Sequence, residues 1–380
     1  MSPLSDIRVV ELCQIAAGPF CGMLLGDMGA DVIKIESPNG GDGMRQWPPI
    51  SKGYSENFAS VNRNKRSVVL DLKDADDVAR ARQLVKSADV VIENFRPGVL
   101  ERLGLGFSDL IAVQPQLVYC SISAYGQTGP RSRQGGFDLT MQAMAGVMSV
   151  TGEPNAPPVK CGVPISDFAA GLYAAYAVVS ALREVEKTGQ GAHIDIPMLG
   201  ATLGIGALQT SEYFGNDRDP QALGSAHPRN APYQAFRCLG GYFAMAAGNY
   251  RLWSSVCDVV ERPELKSDAR FKTTSDRAAN QVALRDLLEL NFTQATAEVW
   301  LERFNEVGVP CAPINTYSSA LNDPQVQALG LVQPLELPGG ANTQTVVSPI
   351  LIDGVNAGVR RVPPELGAHT DEVFAELEDC

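Results

Sequence analysis

The sequence predicts an α/β fold, with a doubly wound parallel sheet in its first half and a smaller α+β domain after it. Three observations carry this. Short β-branched runs alternate with helix-length stretches as far as residue 123, the pattern of parallel strands joined by crossover helices. Those runs are almost continuously apolar, as strands are when both faces of a sheet are covered. Beyond about residue 215 the alternation gives way to amphipathic helical segments between short strands. The 380-residue length agrees with two or three domains at roughly 150 residues each. Hydrophobic residues at 45% and charged ones at 19% leave enough apolar surface for a large core.

Residues 7–12 read as the first strand. Residues 17–29 follow as a helix, opened by Gly18-Pro19 and closed by Gly29. Residues 31–36 are a second strand, ending in the turn-rich run Ser37-Pro38-Asn39-Gly40-Gly41-Asp42-Gly43. A strand at 67–72, a helix at 74–86 and strands at 89–95 and 118–123 come next. Residues 167–186 form a long Ala-rich helix. Its apolar stretch, 168–182, contains Gly171 and two tyrosines, which fits a buried helix better than a membrane span. Residues 187–191 are a turn and 193–197 a short alternating strand. In the later part a strand at 242–246 precedes amphipathic helices at 278–290 and 297–307. Segments 310–314 and 320–329 lead back out, and a last helix occupies 370–377. No repeat or low-complexity tract interrupts the chain.

The net charge of −12 argues against nucleic acid or an anionic membrane surface as the main partner. The opening residues, MSPLSDIRVVELCQIA, lack the basic and apolar regions of an export signal and read as the start of the fold. Eight cysteines lie scattered at 13, 21, 120, 161, 238, 257, 311 and 380, with no CxxC pair. They read as free thiols of a reducing cytoplasm, and the paired spacing of a zinc site is missing.

GxGxxG, the P-loop, GxSxG and HExxH are all absent. His193 alternates with Ile194 and Ile196 in a strand, and His369 sits in a terminal turn; both are structural settings. His227 stands alone in a loop. A carboxylate is the better candidate for chemistry. Asp167 opens the Ala-rich helix. An Asp there is an ordinary N-cap. The same geometry also suits a nucleophile: the helix N-terminus keeps a carboxylate ionised, and a desolvated carboxylate attacks an activated acyl group. Arg63, Lys65 and Arg66 cluster before a strand, while Lys73, Arg96 and Arg102 follow strand ends or turns. These are either solvated surface charges or, at the edge where open sheets bind ligands, a cradle for a phosphate-bearing anion.

Several motifs, in order along nearly the whole chain, resemble the family III CoA-transferases, a group that also includes the α-methylacyl-CoA racemases. They are Ala17-Gly18-Pro19-Phe20, Leu25-Gly26-Asp27-Met28-Gly29-Ala30-Asp31, Asn62-Arg63-Asn64-Lys65-Arg66-Ser67 and Glu93-Asn94-Phe95-Arg96-Pro97-Gly98. Further on come Tyr125-Gly126-Gln127-Thr128-Gly129-Pro130, Gly136-Phe137-Asp138, the run 162–171 around Asp167, Ala247-Gly248-Asn249 and Pro364-Glu365-Leu366-Gly367. The resemblance implies a large Rossmann-like domain built from both chain ends (1–205 and 325–380) and a small α+β domain (220–318), with linkers at 206–219 and 319–324. It implies a ring-like monomer in an interlocked homodimer. It implies coenzyme A thioesters and carboxylic acids as substrates, with no prosthetic group, no metal, no nucleic acid and no membrane.

By the same resemblance Asp167 is the nucleophile, forming a mixed anhydride and then an aspartyl-CoA thioester. Ala16 and Ala17 stand beside the thioester. Leu70 and Lys73 fall at the adenine and phosphate end, and Asn94, Phe95, Arg96 and Arg102 hold the nucleotide and pyrophosphate. Phe137 and Met198 line the pantetheine channel and acyl pocket. Gly248 and Asn249 fall in a loop over the aspartate; the loop lacks the glycine run of formyl-CoA transferases, which points away from formyl or oxalate substrates. The run 226–236 resembles dicarboxylate-type members that use succinyl-CoA, with Arg45 and Arg229 as candidate partners for a distal carboxylate. A racemase needs two opposed acid/base groups; Phe137 stands where racemases carry histidine, and Asn249 where a second acid is expected. A non-catalytic subunit of a heteromeric transferase would have no need of Asp167.

Overall fold

The structure, a computed structural model, describes residues 2–378. Cys380, counted above among the free thiols, lies outside them. The chain divides into two compact units. One comprises Met1–Val147, Lys160–Arg218 and Pro324–Cys380, the other Met148–Val159 and Asp219–Asp323.

The first unit is built on six strands: β1 (Arg8–Leu12), β2 (Asp31–Glu36), β3 (Lys65–Val69), β4 (Val90–Glu93), β5 (Val118–Ser123) and β6 (Ala192–Pro197). They lie in the order β3-β2-β1-β4-β5-β6 and every neighbouring pair is parallel. Strand side chains alternate between faces. Val9, Val32, Val90 and Val118 therefore pack on one side with Cys21 and Leu25 of α1 (Ala17–Asp27). Val10, Ile33, Ile35 and Val91 pack on the other with Leu84 and Val85 of α2 (Ala75–Lys86). Val373 of the C-terminal helix (Thr370–Glu378) joins this second layer, so both chain ends serve one core.

Strand β3 begins two residues before the expected 67–72. Lys65 and Arg66 look like turn residues, but Lys65 pairs in register with Val32 and both side chains are buried. The long helix, expected at 167–186, is α4 (Ile165–Thr188), following the short α3 (Asp138–Met144). Gly189 ends it at φ 67°, a left-handed position suited to glycine. Only one face of α4 is buried, not the whole helix as expected. Ala170, Gly171, Ala174 and Val178 face inward, while Leu172 and Tyr176 stand 55% and 74% exposed. Its length and apolarity alone would also suit a membrane span, but the small-residue face packed in the core cluster is that of a core helix. Helices α5 (Met198–Ile205) and α6 (Ala207–Asn216) follow β6.

In the second unit β7 (Tyr233–Cys238), β8 (Gly241–Ala246) and β9 (Cys311–Pro313) form an antiparallel sheet in the order β9-β8-β7. Helices α7 (Tyr250–Val259), α8 (Gln281–Phe292) and α9 (Ala297–Glu306) close an aromatic core of Phe236, Phe243, Trp253, Phe292 and Phe304. The expected helix at 278–290 is interrupted at Asn280, whose side-chain amide donates to Asp276 O at 2.9 Å and competes with the helical ladder. The segment expected to lead back out, 320–329, overlaps two short helices, Tyr317–Leu321 and Pro324–Ala328; Pro324 lacks the N–H needed to join them in one ladder. Residues 148–159 join this unit, although the sequence places them with the large domain. Their turn-rich run Gly152-Glu153-Pro154-Asn155 carries no apolar period to show which core they serve.

Candidate active site

Strand order reverses between β1 and β4, and in open α/β sheets ligands bind beyond the carboxyl ends of the strands at that point. The loops that leave β1 and β4 are stitched together there. Asn94 Oδ1 accepts from Gln14 N at 2.9 Å, and its Nδ2 donates to Gln14 O at 2.8 Å. Ile15 holds φ at 69°, an unfavourable left-handed conformation for a β-branched residue. The Asp42 carboxylate fixes it, accepting from Ile15 N at 3.0 Å. Two glycines then allow the close packing that follows. A Cβ on Gly18 would lie 2.3 Å from Cys13 Sγ, and one on Gly171 would lie 2.8 Å from Ala17 O. Helix α4 thus lies against the first turn of α1, and Asp167, one turn before Gly171, reaches the crevice.

The crevice holds two cavities. A cavity of about 500 Å³ is lined by Asp167, Ala16, Ala17, Asn94, Phe95, Arg96, Phe137 and Met198, among others. A second, of about 330 Å³, is lined by Leu70, Lys73, Phe95 and Arg102 together with Cys13 and Glu36. Gln14 and Phe95 belong to both walls, so the two are neighbours. Lys73, Arg96 and Arg102 are exposed and form no ion pair with any described residue. They present open positive charge along the crevice.

Asp167 is the third residue of α4; the N-cap is Pro164 and makes no side-chain cap bond. Asp167 is therefore not the cap. Burial, reinforced by the neighbouring Asp138 carboxylate, pushes its pKa up to about 7. The sequence suggests that the helix N-terminus keeps this group ionised; here desolvation and a like charge outweigh that pole. Asp138 Oδ1 accepts from Ser166 N at 2.9 Å, serving the orphan N–H of the first turn from a neighbouring helix. Its Oδ2 accepts from Gln142 Nε2 at 2.8 Å. Asp138 enters the sequence argument only within a motif and Gln142 not at all. Their spacing of four in a helix is the one signal that pairs them. Glu93, at the end of β4, is likewise pushed up to about 7 by burial, and its carboxylate holds Phe95 N at 2.8 Å.

Arg45 lines neither cavity. Its fork grips Glu36 through Nε (2.8 Å) and Nη2 (2.6 Å), Nη1 donates to Pro364 O, and the guanidinium lies 3.8 Å from the Phe58 ring centroid. That leaves no free edge for a substrate carboxylate. Gly248, Asn249 and Arg229 belong to the second unit. Gly248 O accepts from the buried Arg277 Nη2 at 3.0 Å, and Asn249 Oδ1 caps α7 by accepting from Leu252 N. Arg229 is exposed, and its backbone N–H donates to His227 Nδ1 at 3.1 Å, which makes the lone histidine a turn cap. His193 Nε2 lies 3.0 Å from Ser121 Oγ, and His369 Nδ1 accepts from Ser67 N. The seven described cysteines are free thiols. Among the described residues no cluster of His, Cys, Asp or Glu has the geometry of a metal site.

The chain is similar to proteins of known activity over its full length. Succinate–glutarate CoA-transferase of Agrobacterium fabrum is 39% identical, over 99% of this chain and 96% of that protein. Acetyl-CoA:oxalate CoA-transferase of Acetobacter aceti is 38% identical, over 87% of this chain and 85% of that one. The crystal structure of a CAIB/BAIF family protein from Brucella suis superposes with a TM-score of 0.88 at 39% identity, covering 99% of both chains. Residues 4–370 match CoA-transferase family III, and the chain belongs to that family.

Proposed function

We propose that this enzyme moves CoA from succinyl-CoA to a dicarboxylic acid, with Asp167 as the covalent nucleophile. One observation carries the proposal: the Asp167 carboxyl opens into the same cavity as Arg96, at the switch point of a parallel sheet, with Lys73 and Arg102 lining the cavity next to it. In this reading the cations meet the phosphates of CoA, and the thioester end enters between Ala16, Ala17, Phe137 and Met198.

The Asp167 carboxylate attacks the thioester carbonyl, and the carbon–sulfur bond breaks to leave a mixed anhydride and CoA thiolate. The thiolate attacks the aspartyl carbonyl and expels succinate, giving aspartyl-CoA thioester. The acceptor carboxylate attacks that thioester and releases thiolate, which finally takes the acceptor acyl group and restores Asp167. Each step exchanges one activated acyl for another. Pro19 has no N–H and Phe20 N donates to Ala16 O, so the Ala17 and Gly18 N–H groups are the ones at the start of α1 that offer a positive pole to the oxyanions. Phe137 carries no proton and supports transfer over racemisation.

The acceptor class rests on the relatives, whose named acids, glutarate and oxalate, are dicarboxylates. Arg45 is committed to Glu36 and is not available to a distal carboxylate. Exposed apolar residues on α4–α6, among them Tyr176 at 74% and Phe214 at 81%, fit an interlocked homodimer, and the free thiols fit a reducing cytoplasm.

The test is exchange by the purified chain, with succinyl-CoA and a panel of glutarate, malate, citramalate, itaconate, oxalate and monocarboxylates, read by mass spectrometry. Dicarboxylyl-CoA products are expected; products from monocarboxylates alone would overturn the acceptor assignment. Asp167→Ala, folded, is expected to lose all exchange, and full activity in it would remove the nucleophile. Because the reactive form is ionised and the pKa is raised to about 7, kcat/KM is expected to rise with pH through about 7 and level off above it.

A further inference from the structure

Gln142 is the one fully buried glutamine among the described residues, and both ends of its amide are used. Nε2 donates to Asp138 Oδ2 at 2.8 Å, one turn earlier on α3. Oε1 accepts from Cys161 N at 2.9 Å, at the start of the segment that leads into α4. Asp138 in turn accepts from Ser166 N, the residue before Asp167, at 2.9 Å. One helix face therefore grips the connecting segment at two points, Cys161 and Ser166, five residues apart. The segment between them contains Gly162 and Pro164 and has no regular backbone ladder of its own, since α4 starts only at Ile165. Apart from the local bonds of Ile165 N to Val163 O (2.8 Å) and Phe168 N to Pro164 O (3.1 Å), the two grips anchor the segment from outside.

We infer that Gln142 is a positioning residue for the nucleophile: it orients the Asp138 carboxylate and pins the Cys161 backbone, and so sets the place of Asp167 in the cavity. It touches neither cavity wall and takes no part in bond making. The inference deepens the nucleophile assignment and rests on it. A buried amide whose two ends hold two different segments has little freedom to turn, so it transmits the position of α3 to α4 as a rigid link. Asp138 is also the neighbouring carboxylate that raises the Asp167 pKa, which ties the geometry to a measurable titration.

The test compares Gln142→Leu and Gln142→Glu with the parent in the succinyl-CoA exchange assay, following kcat, KM and the pH profile. Gln142→Leu removes the Cys161 grip and the amide that orients Asp138, leaving only the bond from Ser166 N to Asp138. It is expected to lower kcat by about tenfold or more, with KM for succinyl-CoA within about twofold. Freed of the Cys161 anchor, the start of α4 shifts and Asp167 becomes wetter and farther from Asp138, so the acid limb of kcat/KM moves to lower pH. Gln142→Glu keeps size and the acceptor for Cys161 but adds a carboxyl facing Asp138, and the limb moves to higher pH. A purely structural role would lower stability in both and move neither limb. Unchanged turnover, or an unmoved limb in the folded variants, overturns the inference; where Gln142→Leu does not fold, the limb of Gln142→Glu decides. Asp167→Ala runs alongside: activity in that variant defeats the nucleophile assignment itself, whereas an inactive Asp167→Ala with unmoved Gln142 limbs defeats only the positioning role.

Discussion

Two sets of cations in the first unit look alike in the sequence and differ completely in the structure. Lys34 and Lys65 are fully buried. Lys34 Nζ lies 2.8 Å from Glu11 Oε1 and 3.0 Å from Asp42 Oδ2, and Lys65 Nζ lies 2.8 Å from Glu11 Oε2. Arg63 forks onto Asp27, and Arg66 onto Asp31 and Glu376. Lys73, Arg96 and Arg102, by contrast, stand open along the crevice. Strand register makes the difference: Lys65 and Arg66 lie inside β3, whereas the other three lie beyond strand ends. Burial opposes the charge on Lys34, yet Glu11, Asp42 and Glu36 together hold its pKa above the ordinary range; burial pulls Lys65 below it in spite of Glu11. The buried set spends its charge on the protein, fixing Asp42 and through it the Ile15 turn. The open set makes no ion pair with any described residue and, in the proposed reading, meets the phosphates of CoA.

The largest expected effect comes from breaking the buried set. Glu11→Gln leaves Lys65 without a carboxylate in a dry site, where removing one partner costs about 3–5 kcal/mol. Urea unfolding followed by circular dichroism measures this, and Glu11→Leu with Lys65→Met is expected to recover most of the loss. A cost under about 1 kcal/mol for Glu11→Gln would mean that the site is wetter than its burial indicates. The next effect comes from the open set. In the proposed reading Arg96→Ala removes a hydrogen bond to a phosphate worth about 1.5–3 kcal/mol, so KM for succinyl-CoA is expected to rise about 10- to 100-fold while unfolding stays unchanged. If Arg96→Ala destabilised the fold and left KM alone, Arg96 would belong with the buried set.

Periodicity made the sheet legible: five strands were readable as apolar runs and the sixth as an alternating one, and the candidate CoA-site positions from Ala16 to Met198 line one cavity or its neighbour. What stayed hidden depends on partners distant in sequence or on direction in space. Arg45 was a plausible substrate ligand until Glu36, at the end of β2, proved to hold its fork. Asp167 read as a cap because residue type cannot say whether a helix starts at 165 or 168. Gln142 gave only its spacing of four from Asp138, since an ordinary polar residue on a short helix reveals nothing about the segment it will meet. The second unit's loop residues were suggested by resemblance alone, and their spacing carries no chemistry of its own.

The smallest effect separates a point charge from a fork. Lys73 is exposed and follows β3 at the edge of the smaller cavity. An exposed ammonium holds a phosphate by Coulomb attraction through high-dielectric surroundings, worth about 0.2–1 kcal/mol by comparison with exposed ion pairs. Lys73→Ala is therefore expected to raise KM for succinyl-CoA by no more than about fivefold at low salt. Because the Debye length shrinks to about 3 Å at 1 M ionic strength, that difference is expected to vanish as salt is added. The forked contact proposed for Arg96 is short-ranged and directional, so its loss is expected to persist at high salt. Measuring KM for both variants across ionic strength separates them, and a Lys73→Ala effect that is large and salt-independent would place that ammonium in a desolvated contact, closer in kind to Lys34 than to its neighbours along the crevice.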